Sequence, residues 1–315
     1  MRNKKIYAIV LLASSLFCSF IFILISGRIE RKDVLQVSFF YRGSAEEYSG
    51  TSLKQGIDQA VKDMGIELTV QFLNNNGSES ELIALLEKEA ANNLDAILIE
   101  PVDGENVYNT LKKYGKELPV ILVNTGFEEM NEFPLIACNY RKFGQEIGME
   151  IQKGTKAGQK VLMVTEPIVF QDIRDTCAGI EESLKGGCEV EYLILAGDEH
   201  KKEEQISKRL AKGDIHAVMA LGCSELEILG RVYKKETSLN KVMIYGMGKN
   251  NDIIADMEEG LIQAVGVINY YSIGYLSVQE VVRGGNQNKE ILTGVIDKDE
   301  IFTPENQRLL FTLVQ

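Results

Sequence analysis

The chain has 315 residues, 45% of them hydrophobic and 25% charged, with 34 basic and 46 acidic residues for a net charge of −12. Residues 1–32 hold six of the basic residues and one acidic residue, which leaves 28 basic against 45 acidic over the remainder. So acidic a body excludes a basic nucleic-acid-binding face, and the length suits two lobes better than one compact core.

In chain order, Arg2, Asn3, Lys4 and Lys5 precede Ile6 to Ile25, an uncharged apolar run. A run of about twenty apolar residues spans a bilayer as a helix. A secretory signal has a shorter apolar stretch and a small-x-small cleavage site. Here Leu24-Ile25-Ser26-Gly27 is a weak site, and Phe17 before Cys18 argues against a lipoprotein box. Residues 1–33 are therefore expected to form a cytoplasmic start and an uncleaved transmembrane anchor, with the body outside the cell. A cleaved signal and a secreted body are the alternative.

From Val34 onward, short apolar runs alternate with helical patterns. Leu35 to Phe40 reads as a strand, Thr51 to Met64 as a helix stopped by Gly65, and Ile66 to Leu73 as a strand. Asn74-Asn75-Asn76-Gly77 is turn chemistry. Ser78 with Glu81 has the capping-box spacing, opening a helix to Asn92. Ala96 to Ile99 and Val120 to Val123 read as buried strands, with a helix between them that Asp103 can cap. Further strands are expected at 160–165, 189–195, 216–221, 241–246 and 262–268. Helices are expected near 141–153, 174–185, 201–212, 224–236, 249–259 and 272–283. Alternation of this kind predicts parallel sheets flanked by helices, in two sheets rather than one. Ligands of open α/β sheets bind at the carboxyl ends of strands. That directs attention to Tyr41, Glu100, Asn124, Glu166, Gly222 to Ser224, Gly246 to Gly248 and Ile268 to Tyr271.

Several landmarks carry a family resemblance. They are Leu94 to Asp103, Leu118 to Asn124, Asn139 to Gly144, Arg174 five residues before Gly179, Ser224 to Gly230, and Tyr245 to Gly248. In order and spacing the chain resembles the type I periplasmic binding proteins, in their ribose/galactose-like branch related to lactose-repressor ligand domains. The resemblance covers about residues 34–300. It implies two Rossmann-like lobes joined by three crossover strands, near 137–139, 268–270 and 290–295, closing on a ligand. The lobes would comprise 34–137 plus 269–292 and 138–268 plus 293–315. The pattern departs from the family at Asn124, Ser224 and Gly248, where the family has Asp, Asn and Asp. Arg174 is retained.

The expected ligand contacts are Tyr41, Tyr48, Asn124, Phe170, Arg174, Ser224 and Asn269. The Arg174 fork suits ligand oxygens, although an ion pair with Glu166 or Asp172 would use it equally. Asn124 offers donors and an acceptor, or serves as a turn residue before Gly126. Tyr41, Tyr48 and Phe170 offer aromatic faces to a sugar ring, or pack the rim. Asn269 replaces a family polar contact or simply sits at a crossover. Cys138, Cys177, Cys188 and Cys223 lack CxxC spacing, so neither zinc nor another cofactor is expected. No GxSxG, HExxH or P-loop motif is present, which argues against an enzyme. Nor is there room before residue 34 for a helix-turn-helix. The expected function is an extracytoplasmic solute-binding protein for a carbohydrate-like ligand, serving an ABC permease. A tethered sensor presenting its ligand state to a sensor kinase is the alternative.

Overall fold

The computed structural model describes residues 34–73, 77–92, 94–127, 132–167, 170–236 and 242–310. The anchor expected at 1–33 lies outside them, as does the turn at Asn74 to Asn76. Among the described residues no helix is long and apolar enough to cross a membrane.

The first sheet is built from β1 (Gln36–Tyr41), β2 (Glu67–Phe72), β3 (Ala96–Ile99), β4 (Val120–Val123), β5 (Leu135–Ala137) and β11 (Lys289–Glu290), in the order β11-β5-β4-β3-β1-β2. All of its pairings are parallel, with Val37 of β1 opposite both Leu68 and Ala96. β3 and β4 are buried along their whole length, as apolar runs covered on both faces must be. The connections are α1 (Ala45–Ser49), α2 (Ser52–Met64), α3 (Glu79–Ala90) and α4 (Glu105–Tyr114). Ser78 caps α3 as its spacing predicts, accepting from the Glu81 amide at 3.1 Å.

The second sheet has the order β12-β10-β9-β8-β6-β7, from β6 (Lys160–Thr165), β7 (Glu189–Ile194), β8 (Ile215–Ala220), β9 (Met243–Met247), β10 (Ile262–Ile268) and β12 (Thr293–Asp297). β12 runs antiparallel to β10; the other pairings are parallel. Its helices are α5 (Tyr140–Gly154), α6 (Gln171–Leu184), α7 (Glu199–Leu210), α8 (Cys223–Lys235), α9 (Asn251–Glu258) and α11 (Pro304–Leu310). α10 (Tyr270–Val282) packs instead on α2, beside the first sheet. The chain thus passes between the sheets at 138–139, 269 and 291–292. Each sheet has its own core, one around Phe40, Ile97 and Leu122, the other around Leu162, Val218 and Val265.

Both lobes use the same device to bring two helices together. A Cβ on Gly56 of α2 would stand 2.0 Å from the Tyr271 carbonyl oxygen of α10, and one on Gly274 would stand 2.3 Å from that of Leu53. In the second lobe a Cβ on Gly144 of α5 would stand 2.1 Å from the Thr176 carbonyl oxygen, and one on Gly179 of α6 would stand 2.0 Å from that of Arg141. Helix backbones approach this closely only where no side chain intervenes.

Candidate functional site

The carboxyl ends of the two sheets share one cavity of about 490 Å³, within the usual range for small-molecule sites. From the first sheet come Tyr41 at the end of β1, Arg42 just beyond it, Glu100 after β3 and Asn124 after β4. From the second come Leu221 to Cys223 after β8, Met247 at the end of β9 with Gly248 and Lys249 beyond it, and Gly266 to Ile268 of β10. Asp172 and Ile173, in the first turn of α6, complete that side. A carboxylate at this end of a helix is favoured by the dipole.

Arg42 organises the polar part of the cavity. Its backbone N–H donates to Glu100 Oε2 at 3.2 Å. Its guanidinium lies 3.6 Å from the centre of the Phe170 ring, and Nη2 reaches Asp172 Oδ2 at 3.3 Å. Burial pushes the Glu100 carboxyl up to about 7; the Arg42 charge and amide and the Asn124 side chain oppose the shift, and the Asp172 charge adds to it. Asn124 also accepts from the Tyr140 hydroxyl. Its backbone is left-handed, at φ 67°, a conformation Asn tolerates better than most residues.

The expected contacts fall in different places. Tyr41 and Asn124 line the cavity. Phe170 stands behind Arg42 and presents a face to its guanidinium. Tyr48 is buried against Tyr41 and Phe72, with ring centres 4.9 and 5.7 Å away. Arg174 lies outside the lining, where it pairs with Asp103 and bonds Gln171. Asp103 therefore bridges to the other lobe rather than capping α4, whose N-cap is Gly104. Ser224 is exposed in the first turn of α8. Asn269 caps α10, accepting from the Ser272 amide at 3.0 Å. Arg42, Glu100, Asp172 and Lys249 are charged lining residues outside the set of contacts expected from the sequence. Position alone could have flagged Arg42, one residue beyond the end of β1. Cys138 and Cys177 are buried thiols, Cys188 and Cys223 partly buried ones. Among the described residues no group of three His, Cys, Asp or Glu is placed to hold a metal ion.

Residues 40–285 match the family described as periplasmic binding protein domain. The chain belongs to that family. As a periplasmic binding protein domain it is similar to the ABC transporter periplasmic-binding protein YphF of Escherichia coli K12. The two are 22% identical over 271 residues, covering 82% of this chain and 78% of the relative. Its fold matches GanP, a glucose-galactose binding protein from Geobacillus stearothermophilus, with a TM-score of 0.74 and 18% identity, over 86% of this chain and 100% of GanP. It also matches a carbohydrate transporter solute-binding protein from Agrobacterium radiobacter in complex with D-arabinose. There the TM-score is 0.77 at 16% identity, over 89% of this chain and 99% of the other. These likenesses establish the two-lobed periplasmic binding protein fold expected from the order of motifs.

Proposed function

We propose that this periplasmic binding protein domain works outside the cytoplasm, clamping a small sugar-like ligand between its lobes for ABC-type import. One observation carries the reading: the strand ends of two separately cored sheets meet at a single cavity, lined from both sides by hydrogen-bonding groups. YphF, by its name, serves an ABC transporter, and the Agrobacterium protein holds D-arabinose. Both support the same assignment here. The lobes divide as 34–137 plus 269–292 and 138–268 plus 293–315. Tyr41 and Asn124 contact the ligand. Phe170 and Arg174 fix the mouth of the cavity. Nothing in this arrangement transforms the ligand; it is bound and released to a permease.

The uncharged run Ile6 to Ile25 after a basic start supports an uncleaved anchor that tethers the body to the membrane. The full chain in detergent, heated with a panel of pentoses, hexoses and polyols, tests the ligand class. A ligand at 100 times its dissociation constant adds about 2.7 kcal/mol of stability, so a binding sugar raises the melting temperature by several degrees. A panel that leaves the transition unmoved overturns the reading.

A further inference from the structure

The two lobes face the cavity with different chemistry. The first lobe presents Arg42, Thr51, Ser52, Glu100 and Asn124. The second presents Ile173, Leu221, Cys223, Met247, Val267 and Ile268. Among the described lining residues of the second lobe two are charged, and both are engaged: Asp172 accepts from Arg42 at 3.3 Å, and Lys249 donates to the Leu309 carbonyl. Burial pushes the Lys249 ammonium down and, as the largest cause, the Cys223 thiol up to about 11, as apolar surroundings do. Backbone donors on this side are spent as well. The Leu221 N–H reaches the Val164 carbonyl at 2.9 Å, and the Gly248 N–H reaches that of Gly266 at 3.0 Å. Position 248 has no room for a polar side chain, because its φ is 106° and a Cβ there would stand 2.8 Å from that of Cys223. Ile173, Gly222, Cys223 and Gly248 are half-buried, so part of this wall stays open to an occupant.

We infer that the ligand is two-faced: a small polyol that turns its hydroxyls to the first lobe and carries an apolar group against the second, as an alkyl or aryl glycoside does. This deepens the solute-clamp reading and rests on it. A hydroxyl pressed against the second wall would give up water and find no partner, which is costly. A methylene or an aromatic ring in the same place gains by leaving water. A free sugar has hydroxyls all round its ring and would turn some of them to this wall. A wholly apolar ligand would leave the polar groups of the first lobe unmet. The cavity volume of about 490 Å³ gives such a group room, since sites of this size hold drug-sized molecules. Ile173, in the first turn of α6, and Met247, at the end of β9, are then specificity-determining residues for the apolar group.

Calorimetry on the full chain in phospholipid nanodiscs tests this, with empty nanodiscs subtracted and no glycoside detergent present to compete. The probes are D-arabinose, D-glucose and D-galactose, with the methyl, butyl and phenyl glycosides of each. For at least one sugar the butyl or phenyl glycoside is expected to bind at least tenfold more tightly than the free sugar, with the methyl glycoside between them. In Met247→Gln the advantage of butyl over methyl should shrink at least threefold, because an amide now meets the chain. Ile173→Thr, at a half-buried helix position, gives the same reading should Met247→Gln fold poorly. A purely structural role would weaken every probe alike and preserve the butyl-to-methyl ratio, and that ratio unchanged in both variants overturns the assignment of the second wall. Free sugars that bind as tightly as their glycosides, or more tightly, overturn the two-faced ligand and leave the sugar clamp standing. Silence from every probe overturns the clamp itself and this inference with it.

Discussion

Arg42, just past the end of β1, and Asp172, in the first turn of α6, meet at 3.3 Å although they belong to lobes with separate cores. A second ion pair, between Arg174 and Asp103, crosses in the opposite sense. The two pairs differ in surroundings. The first is almost enclosed, with side chains 10% and 8% exposed, whereas the second is at 37% and 32%. Solvent screens the second far more than the first.

These two pairs are expected to hold the lobes together before a ligand arrives. In Asp103→Asn combined with Asp172→Asn, both ion pairs between the lobes are broken and the ligand-free protein should open. Neutron scattering with the detergent contrast-matched would show it as a larger radius of gyration than the wild type's. Asp172→Asn alone should account for most of the change, because its pair is the less screened. Superimposable profiles for wild type and double variant would remove the pairs from any latching role.

The reciprocal glycines give a stability prediction with an internal control. Gly56→Ala and Gly179→Ala each place a methyl 2.0 Å from a backbone carbonyl oxygen of the facing helix. The helices must separate, so each should lose roughly 2–3 kcal/mol, the upper part of the overpacking range. At Gly187 an added Cβ meets nothing nearer than 3.6 Å. Gly187→Ala should therefore stay within about 0.5 kcal/mol of the wild type, as surface changes do. Urea denaturation followed by circular dichroism distinguishes the three, and equal midpoints for all of them would refute the close-packing account.

Much of this architecture is legible in the sequence because its inner strands β3 and β4 are uniformly apolar. Ala96 to Ile99 and Val120 to Val123 admit few other readings, and Ser78 announces its helix by the spacing to Glu81. What the sequence hides is short or distant. β5 and β11 have three and two residues, too few to establish a period. α1 is a five-residue turn started by a capping box at Ser44. The rule of strand ends points to Tyr41, Glu100 and Asn124, and all three line the cavity. Asp172 escapes it for a local reason: the helical pattern reads from Arg174, whereas α6 begins at Gln171. Its partner Arg42 lies 130 residues away, and no periodicity reports a contact over that distance. The same holds for Arg174, whose partner in the structure is Asp103 rather than Glu166 or Asp172.

Asn124 separates a backbone effect from a side-chain one. Its φ of 67° is left-handed, where a Cβ costs about 1–2 kcal/mol and glycine escapes the penalty. Asn124→Ala and Asn124→Gly both delete the amide that meets Tyr140 and Glu100. The alanine variant should therefore be no more stable than the glycine variant, despite glycine's larger entropy loss on folding. Thermal unfolding of the pair checks this, and a clearly more stable alanine variant would contradict the assigned conformation.

Glu100 makes stability depend on pH with a definite sign. Burial raises its carboxyl from 4.5 to about 7, so between those values the folded chain holds a proton that the unfolded chain has released. Stability therefore falls as pH rises through that window. Below it both states are protonated, and above it both are ionised, so the slope vanishes at either side. The full span corresponds to on the order of 3 kcal/mol. Glu100→Gln keeps the shape of the side chain without the charge and should abolish this component. The free-energy difference between Glu100→Gln and wild type, measured by urea denaturation from pH 4.5 to 8, should grow in favour of the variant and level off above about pH 7. Parallel curves across that range would mean that Glu100 ionises as freely in the folded protein as in the unfolded chain, and that its setting among Arg42, Asn124 and Asp172 is wetter than the cavity geometry implies.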